Sequence, residues 1–295
     1  MSHPNVIDRL GVPGHFPEDT VRYCLTHPEE SFPVLLDLLE AKASGRGLTE
    51  REDNALFLGI HILAEARECK AFPLLVKLLR RGDEESVAFF GDAITETLGQ
   101  ILIAFNGPAD VLEEAIADSE LDDFVREAFL IAWTHGVLTG KITEYAAKMF
   151  LRSFPQTIRP KPDSFLWEAW ASAIADLQFS DLFDDVEATF HSDLIRRDEF
   201  GLFASEVEDF RYRVRSAAQA TDRQVWMRQN RYCAFDNTVS SLRDWATARS
   251  DQLGRMVPVE ETTYLMAAEE GSPFTSGSAD AKGNGATPPD GKFSH

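Results

Sequence analysis

Asp92 and Glu96 stand four residues apart in Asp92-Ala93-Ile94-Thr95-Glu96, the spacing that sets two carboxylates on one helix face, one turn apart. Such a pair could pass a proton or hold a cation, but no nucleophile or metal-ligand set accompanies it. His61 and Glu65 share the same spacing, which reads as an ordinary helical contact. His135 and His191 fall at expected helix ends, where a cation suits the dipole, and Gly136 suits the cap after His135. Glu113-Glu114 and Asp122-Asp123 are adjacent, so on a helix their side chains diverge rather than converge on a substrate. The chain has no His-Glu-x-x-His, Cys-x-x-Cys, phosphate-binding loop, Gly-x-Ser-x-Gly or dinucleotide fingerprint. No catalytic, cofactor-binding or metal site is assigned, and the residues point away from an enzyme.

A repeat dictates the elements that carry these residues. Phe32-Pro33-Val34-Leu35-Leu36-Asp37-Leu38-Leu39 returns forty residues later as Phe72-Pro73-Leu74-Leu75-Val76-Lys77-Leu78-Leu79. A period of this length is the mark of stacked helical hairpins of HEAT-like type. Pro73 is expected to open the second helix of its hairpin, since proline presets a first turn. Pro108 takes that place after the Asn106-Gly107 turn, then Ile142, then Ser180, at steps of 35, 34 and 38 residues. Expected first helices run over residues 54–66, 86–105, 122–135 and 164–177, and a truncated unit over 23–40 opens the series. The fold class is therefore all-α, an α-solenoid of about five HEAT-like hairpins over residues 18–192, with C-terminal helices packed back on the stack. Residues 1–17 form a lead-in, 193–266 a C-terminal helical segment, and 267–295 a polar Gly/Ser/Pro tail expected to be disordered.

The second helices keep one polar face, as with Asp37, Glu40, Lys77 and Arg80. The first helices are apolar nearly all round, for example Leu56–Ile60 and the stretch holding Trp167 and Trp170. Such helices need cover on both sides. Two occupants fit: the chain's own C-terminal helices, or a homodimer contact or partner groove lined by Trp167 and Trp170.

The chain holds 49 acidic and 29 basic residues, a net charge of −20. Residues 1–195 carry −18 of it (34 acidic, 16 basic), and residues 82–127 hold 13 acidic residues with Arg126 as their one cation. That balance opposes a phosphate-backbone binder, so nucleic acid is not the expected partner. It fits either a solvated face or a docking surface for a basic protein, with Glu113, Glu114, Asp122 and Asp123 as contacts. The arginines of residues 196–231 are expected to pack on the acidic stack. The repeat register sets Asp92 16 positions before Pro108 and Arg126 16 positions before Ile142. It predicts an ion pair between Arg126 and Asp92, with Glu96 as the alternative acceptor. No apolar run reaches the roughly 18 residues that span a bilayer, and the first residues lack a signal-peptide pattern. Cys24, Cys69 and Cys233 are few and scattered, as in a reduced cytoplasmic protein.

Three stretches carry a family resemblance. They are Phe90-Gly91-Asp92-Ala93-Ile94-Thr95-Glu96-Thr97-Leu98, then Phe124-Val125-Arg126-Glu127-Ala128 with Gly136-Val137-Leu138-Thr139-Gly140, then Arg231–Val239 with Leu242-Arg243-Asp244-Trp245. In that order they resemble the bacterial domain of unknown function 1186 family over about residues 15–250. The resemblance implies a helical-repeat module with no assigned activity. Many members end in a short cysteine-rich zinc-binding motif, but this chain has no cysteine after Cys233, so no metal is carried over.

The function expected from these readings is a non-catalytic cytoplasmic scaffold that binds another macromolecule, a protein first, with no cofactor and no membrane span. The alternative is an enzyme built on a HEAT-like solenoid, such as a DNA-repair glycosylase or a bilin lyase. The acidic balance opposes the glycosylase, and nothing in the sequence marks a tetrapyrrole pocket for the lyase.

Overall fold

The computed structural model describes residues 3–13, 16–82, 84–192, 194–195 and 207–243. The tail expected over 267–295, and residues 244–266 before it, lie outside the described residues.

Helix starts follow local chemistry. Thr49 opens the helix Glu50–Glu65 with a capping box, its hydroxyl accepting from Glu52 N while the Glu52 carboxylate accepts from Thr49 N. Asp122, Thr143 and Asp222 cap their helices more simply, each with a side-chain oxygen that accepts from a backbone N–H of the first turn. Helix ends rely on left-handed residues, and Arg67, Asn106, Arg159, Gln178 and Arg231 take that conformation without being glycine.

Among the described residues every regular element is helical. After α1 (His3–Leu10) the chain forms five hairpins. They are α2 (Glu18–Thr26) with α3 (Pro28–Ala43), and α4 (Glu50–Glu65) with α5 (Ala71–Leu79). The third joins α6 (Glu84–Phe90), a π turn (Ile94–Leu98) and α7 (Gly99–Phe105) to α8 (Ala109–Ala117). The last two are α9 (Asp123–Leu138) with α10 (Glu144–Thr157), and α11 (Leu166–Leu177) with α12 (Phe183–Phe190).

First helices pack in succession, α4 on α7, α7 on α9 and α9 on α11, while α3 packs on α5 in the second layer. This is an all-α, solenoid-like stack. The forty-residue echo has a structural counterpart. Leu35, Leu38 and Leu39 are buried in α3, and Leu75, Leu78 and Leu79 are buried at the matching places of α5.

One expected helix is broken. Residues 86–105 do not form a single α-helix, because the chain turns left-handed at Gly91 (φ +51) and then widens into the π turn. Pro73 also lies inside the first turns of α5, which begins two residues earlier, at Ala71.

The C-terminal part covers the first-helix layer. Helix α13 (Val207–Ala218) packs on α11, α14 (Arg223–Gln229) follows, and residues 231–243 run back along the stack. Tyr232 bonds to Asp176 of α11, Phe235 N to the Gln100 carbonyl of α7, and Thr238 N to Glu65 of α4. Arg243 then pairs with Glu18 of α2. Among the described residues no helix is long and apolar enough to cross a membrane.

Candidate functional site

Trp167 and Trp170 do not line a groove. They are 2% and 1% exposed, and their indole N–H groups donate to the Lys161 carbonyl at 3.0 Å and the Leu151 carbonyl at 2.8 Å. The helices on either side fill the space: α9 and α13 pack on α11, and the Trp170 ring stacks on Phe154 of α10. The partner-groove reading of these residues is corrected to a core one.

The acidic candidates divide. Glu113 accepts from the buried Trp133 indole at 2.9 Å, Asp122 caps α9, and Asp123 pairs with Arg126 at 3.0 Å. Glu113 ties α8 to α9, while Asp122 and Asp123 act within α9 itself. Glu114 stays exposed and reaches Arg80 of the preceding repeat at 3.2 Å.

The pairing of Arg126 with Asp92 or Glu96 is also corrected. Arg126 is 4% exposed, with Nε donating to the Ile116 carbonyl at 2.9 Å and Nη1 to Asp123. Glu96 instead receives Arg231 at 2.8 Å, and Asp92 lies exposed beside the helix break. A 16-residue register sets the two side chains on one face only along a continuous α-helix. A π turn takes more residues per turn, so residues before it rotate off the predicted face.

Arg126 Nη2 is buried with no hydrogen-bond partner, which removes much of what a buried ion pair can contribute. Arg126→Met is therefore expected to change stability by no more than about 1 kcal/mol, because an apolar side chain of similar length replaces a poorly satisfied charge. Urea unfolding checks this. A loss near 3 kcal/mol would mean that the two bonds Arg126 makes outweigh its burial.

His61 is fully buried, with Nδ1 2.8 Å from the Phe57 carbonyl and Nε2 2.9 Å from Thr97 Oγ1 inside the π turn. Its expected neighbour Glu65 serves the C-terminal segment instead. His135 departs from the cationic reading. Burial, and then the Lys141 charge, hold it down to about 4, so it is neutral near pH 7. It lines a cleft of about 200 Å³ between the third and fourth hairpins with Asn106, Lys141 and Ile142.

A second cleft, of about 100 Å³, opens where the C-terminal segment crosses the π turn. Ile94, Gly99, Ala128, Ile131 and the Phe124 ring give its apolar lining, and Thr95, Glu96, Gln100, Glu127 and Arg231 its polar groups. Arg231 closes one side, donating to the Thr95 carbonyl at 2.8 Å as well as to Glu96. Burial, and then the neighbouring Glu168 charge, raise the Glu127 carboxyl above its ordinary range. Two of the singled-out stretches, 90–98 and 231–239, meet here, and a third contributes Phe124 and Glu127. Spacing could not reveal this meeting, because the partners are more than a hundred residues apart. Among the described residues no group of three or more His, Cys, Asp or Glu side chains is placed to hold a metal ion.

Sequence reasoning did not single out Tyr145 and Met149, which stand one turn apart on α10 and are 77% and 50% exposed. Their signal was the spacing opposite the buried Ala147, Leu151 and Phe154.

Comparison with known proteins places residues 4–249 in a match to the family described as "Protein of unknown function (DUF1186)". An uncharacterized protein of Chlamydia muridarum (strain MoPn / Nigg) is 24% identical over 186 residues, covering 62% of this chain and 74% of the relative. One of Chlamydia trachomatis serovar D is 25% identical over 187 residues, covering 62% and 73%. No solved structure matches.

Proposed function

This chain belongs to the DUF1186 family, and from that premise we propose that it is a non-catalytic HEAT-like scaffold that binds another protein, one with a basic surface. The observation that carries the reading is the burial of Arg126. It is the one cation of residues 82–127, and with it inside, what that stretch offers to solvent is carboxylates. Asp92, Glu96, Asp110, Glu114 and Glu120 are exposed there, and only Glu96 and Glu114 of these reach an arginine of the chain. A field of one sign steers and orients a partner of the other sign, and it repels nucleic acid. Work in the cytosol is supported by Cys24, Cys69 and Cys233, which are free thiols.

The test is capture of partners from native cytosol by the tagged chain, at low and at raised salt. The expected result is a basic protein retained at low salt and released as salt screens the contact. Changing Asp92, Asp110, Glu114 and Glu120 to their amides should cut retention roughly 10-fold, the effect of losing about 1.4 kcal/mol. Retention unchanged by both salt and the amides would remove the acidic surface from the reading.

A further inference from the structure

We propose that the cleft between the π turn and α9 receives a lysine side chain of the basic partner, its ammonium meeting Glu127. The inference rests on the protein-binding reading above and names where a basic residue anchors.

The lining of the cleft fits lysine. Its lining includes the apolar Ile94, Ala128 and Ile131, and Gly99 lets α9 lie close beside the π turn, since a methyl there would come within 3.1 Å of Ile131 Cγ2. A four-carbon stem buries well on such a lining while its charged end seeks a polar group. Glu127 is that group. No described residue bonds to its carboxylate, whereas Glu96 across the cleft is already held by Arg231.

At the rim, Phe124 is 37% exposed, and an aromatic face attracts a passing cation. A space of about 100 Å³ admits one side chain and no folded element. With Glu96 taken by Arg231, the one other carboxylate of the lining suits a compact ammonium better than the broad two-sided fork of arginine.

The local charge is complementary. Glu96 and Arg231 cancel, and Glu127 feels the carboxylate of Glu168 from α11 more strongly than the cation of Arg213, which Asp176 already holds. Burial makes the ionised Glu127 costly on its own, so an arriving cation gains more here than on the open surface.

The experiment follows the isoleucine methyl signals of the full chain by NMR. The chain is titrated with an end-blocked Gly-Lys-Gly peptide and, separately, with Gly-norleucine-Gly. The expected result is movement of Ile94 and Ile131 with the lysine peptide alone. Glu127→Gln, which keeps shape and hydrogen-bonding reach, should weaken binding roughly 10-fold, the loss of one charge-assisted contact. Phe124→Ala, at the exposed rim, should weaken it more mildly without touching the carboxylate.

Equal shifts with norleucine, or no effect of Glu127→Gln, would overturn the proposal. If only Ile116 of α8 moves, the cleft is wrong while a basic partner remains supported. If no methyl moves even with hexalysine, both the cleft and the basic-partner reading fall.

Discussion

Replacing Asp176 by alanine is expected to lower the unfolding free energy by about 3–5 kcal/mol, because it strips a buried cationic network of its acceptor. Asp176 is 0% exposed, and its two carboxylate oxygens take Arg213 Nε at 2.9 Å, Arg213 Nη2 at 2.7 Å and the Tyr232 hydroxyl at 2.6 Å. Its carbonyl also takes Arg223 at 3.0 Å. Burial, and then the Asp176 charge, push the Tyr232 hydroxyl well above the ordinary tyrosine range, so it stays a donor. Removing the carboxylate leaves that donor and a guanidinium facing each other across an empty space. The Arg213 side chain is 38% exposed, so part of its charge returns to water, which places the expected cost nearer about 3 kcal/mol. Asp176→Asn keeps an acceptor for Tyr232 and should cost less than alanine. Urea unfolding read by circular dichroism gives both numbers. A cost below about 1 kcal/mol for alanine would show that the C-terminal segment is held by its apolar contacts alone. The same network ties the C-terminal segment to the stack. Arg213, Arg223 and Tyr232 come from three successive pieces of that segment. All three meet one residue at the end of α11, where the segment turns back over the first helices.

The sequence made the repeat legible because a packed leucine leaves a periodic trace. Leu35 and Leu75 are both fully buried forty residues apart, and Pro108 marks the start of α8 as expected. The need of the first helices for two-sided cover was also legible in Leu56–Ile60 and around Trp167 and Trp170. The chain's own C-terminal helices were expected as that cover and supply it, but the residues that make the contacts were not legible, since periodicity describes one element and says nothing about what lies on it. The break before Ile94 was hidden for a related reason. Nothing in Ala93-Ile94-Thr95-Glu96-Thr97 opposes an α-helix, and the π turn makes contacts from distant residues. Arg231 reaches the Thr95 carbonyl, and Thr97 meets His61. Once that turn widened, the inference that paired Arg126 with Asp92 lost its register. The cleft at Glu127 forms at the same place and was invisible in the sequence for the same reason.

Gly107→Ala is expected to destabilise the chain by about 3 kcal/mol, at the upper end of what overpacking a core costs. The Asn-Gly pair suggests a glycine needed for a left-handed turn, but Asn106 takes that conformation (φ 55) and Gly107 does not. What Gly107 supplies is room. A Cβ there would fall 2.0 Å from Phe72 Cζ and 2.2 Å from Cε2, far inside contact distance. Phe72 is 6% exposed within α5, so its ring has no solvent to move into. The turn of the third hairpin therefore rests directly on the aromatic ring of the second, and this contact helps set the spacing between repeats. Phe72→Leu alone is expected to cost about 1.5 kcal/mol, since a smaller apolar side chain fills much of the same space. In the double variant the new methyl meets a smaller neighbour. The two losses should then fall short of their sum by at least about 1 kcal/mol, the signature of residues in contact. Urea midpoints with an unchanged slope would measure all three variants on one scale. Strict additivity would mean that the backbone of the 106–108 turn moves aside, and that Phe72 does not fix the step from the second hairpin to the third.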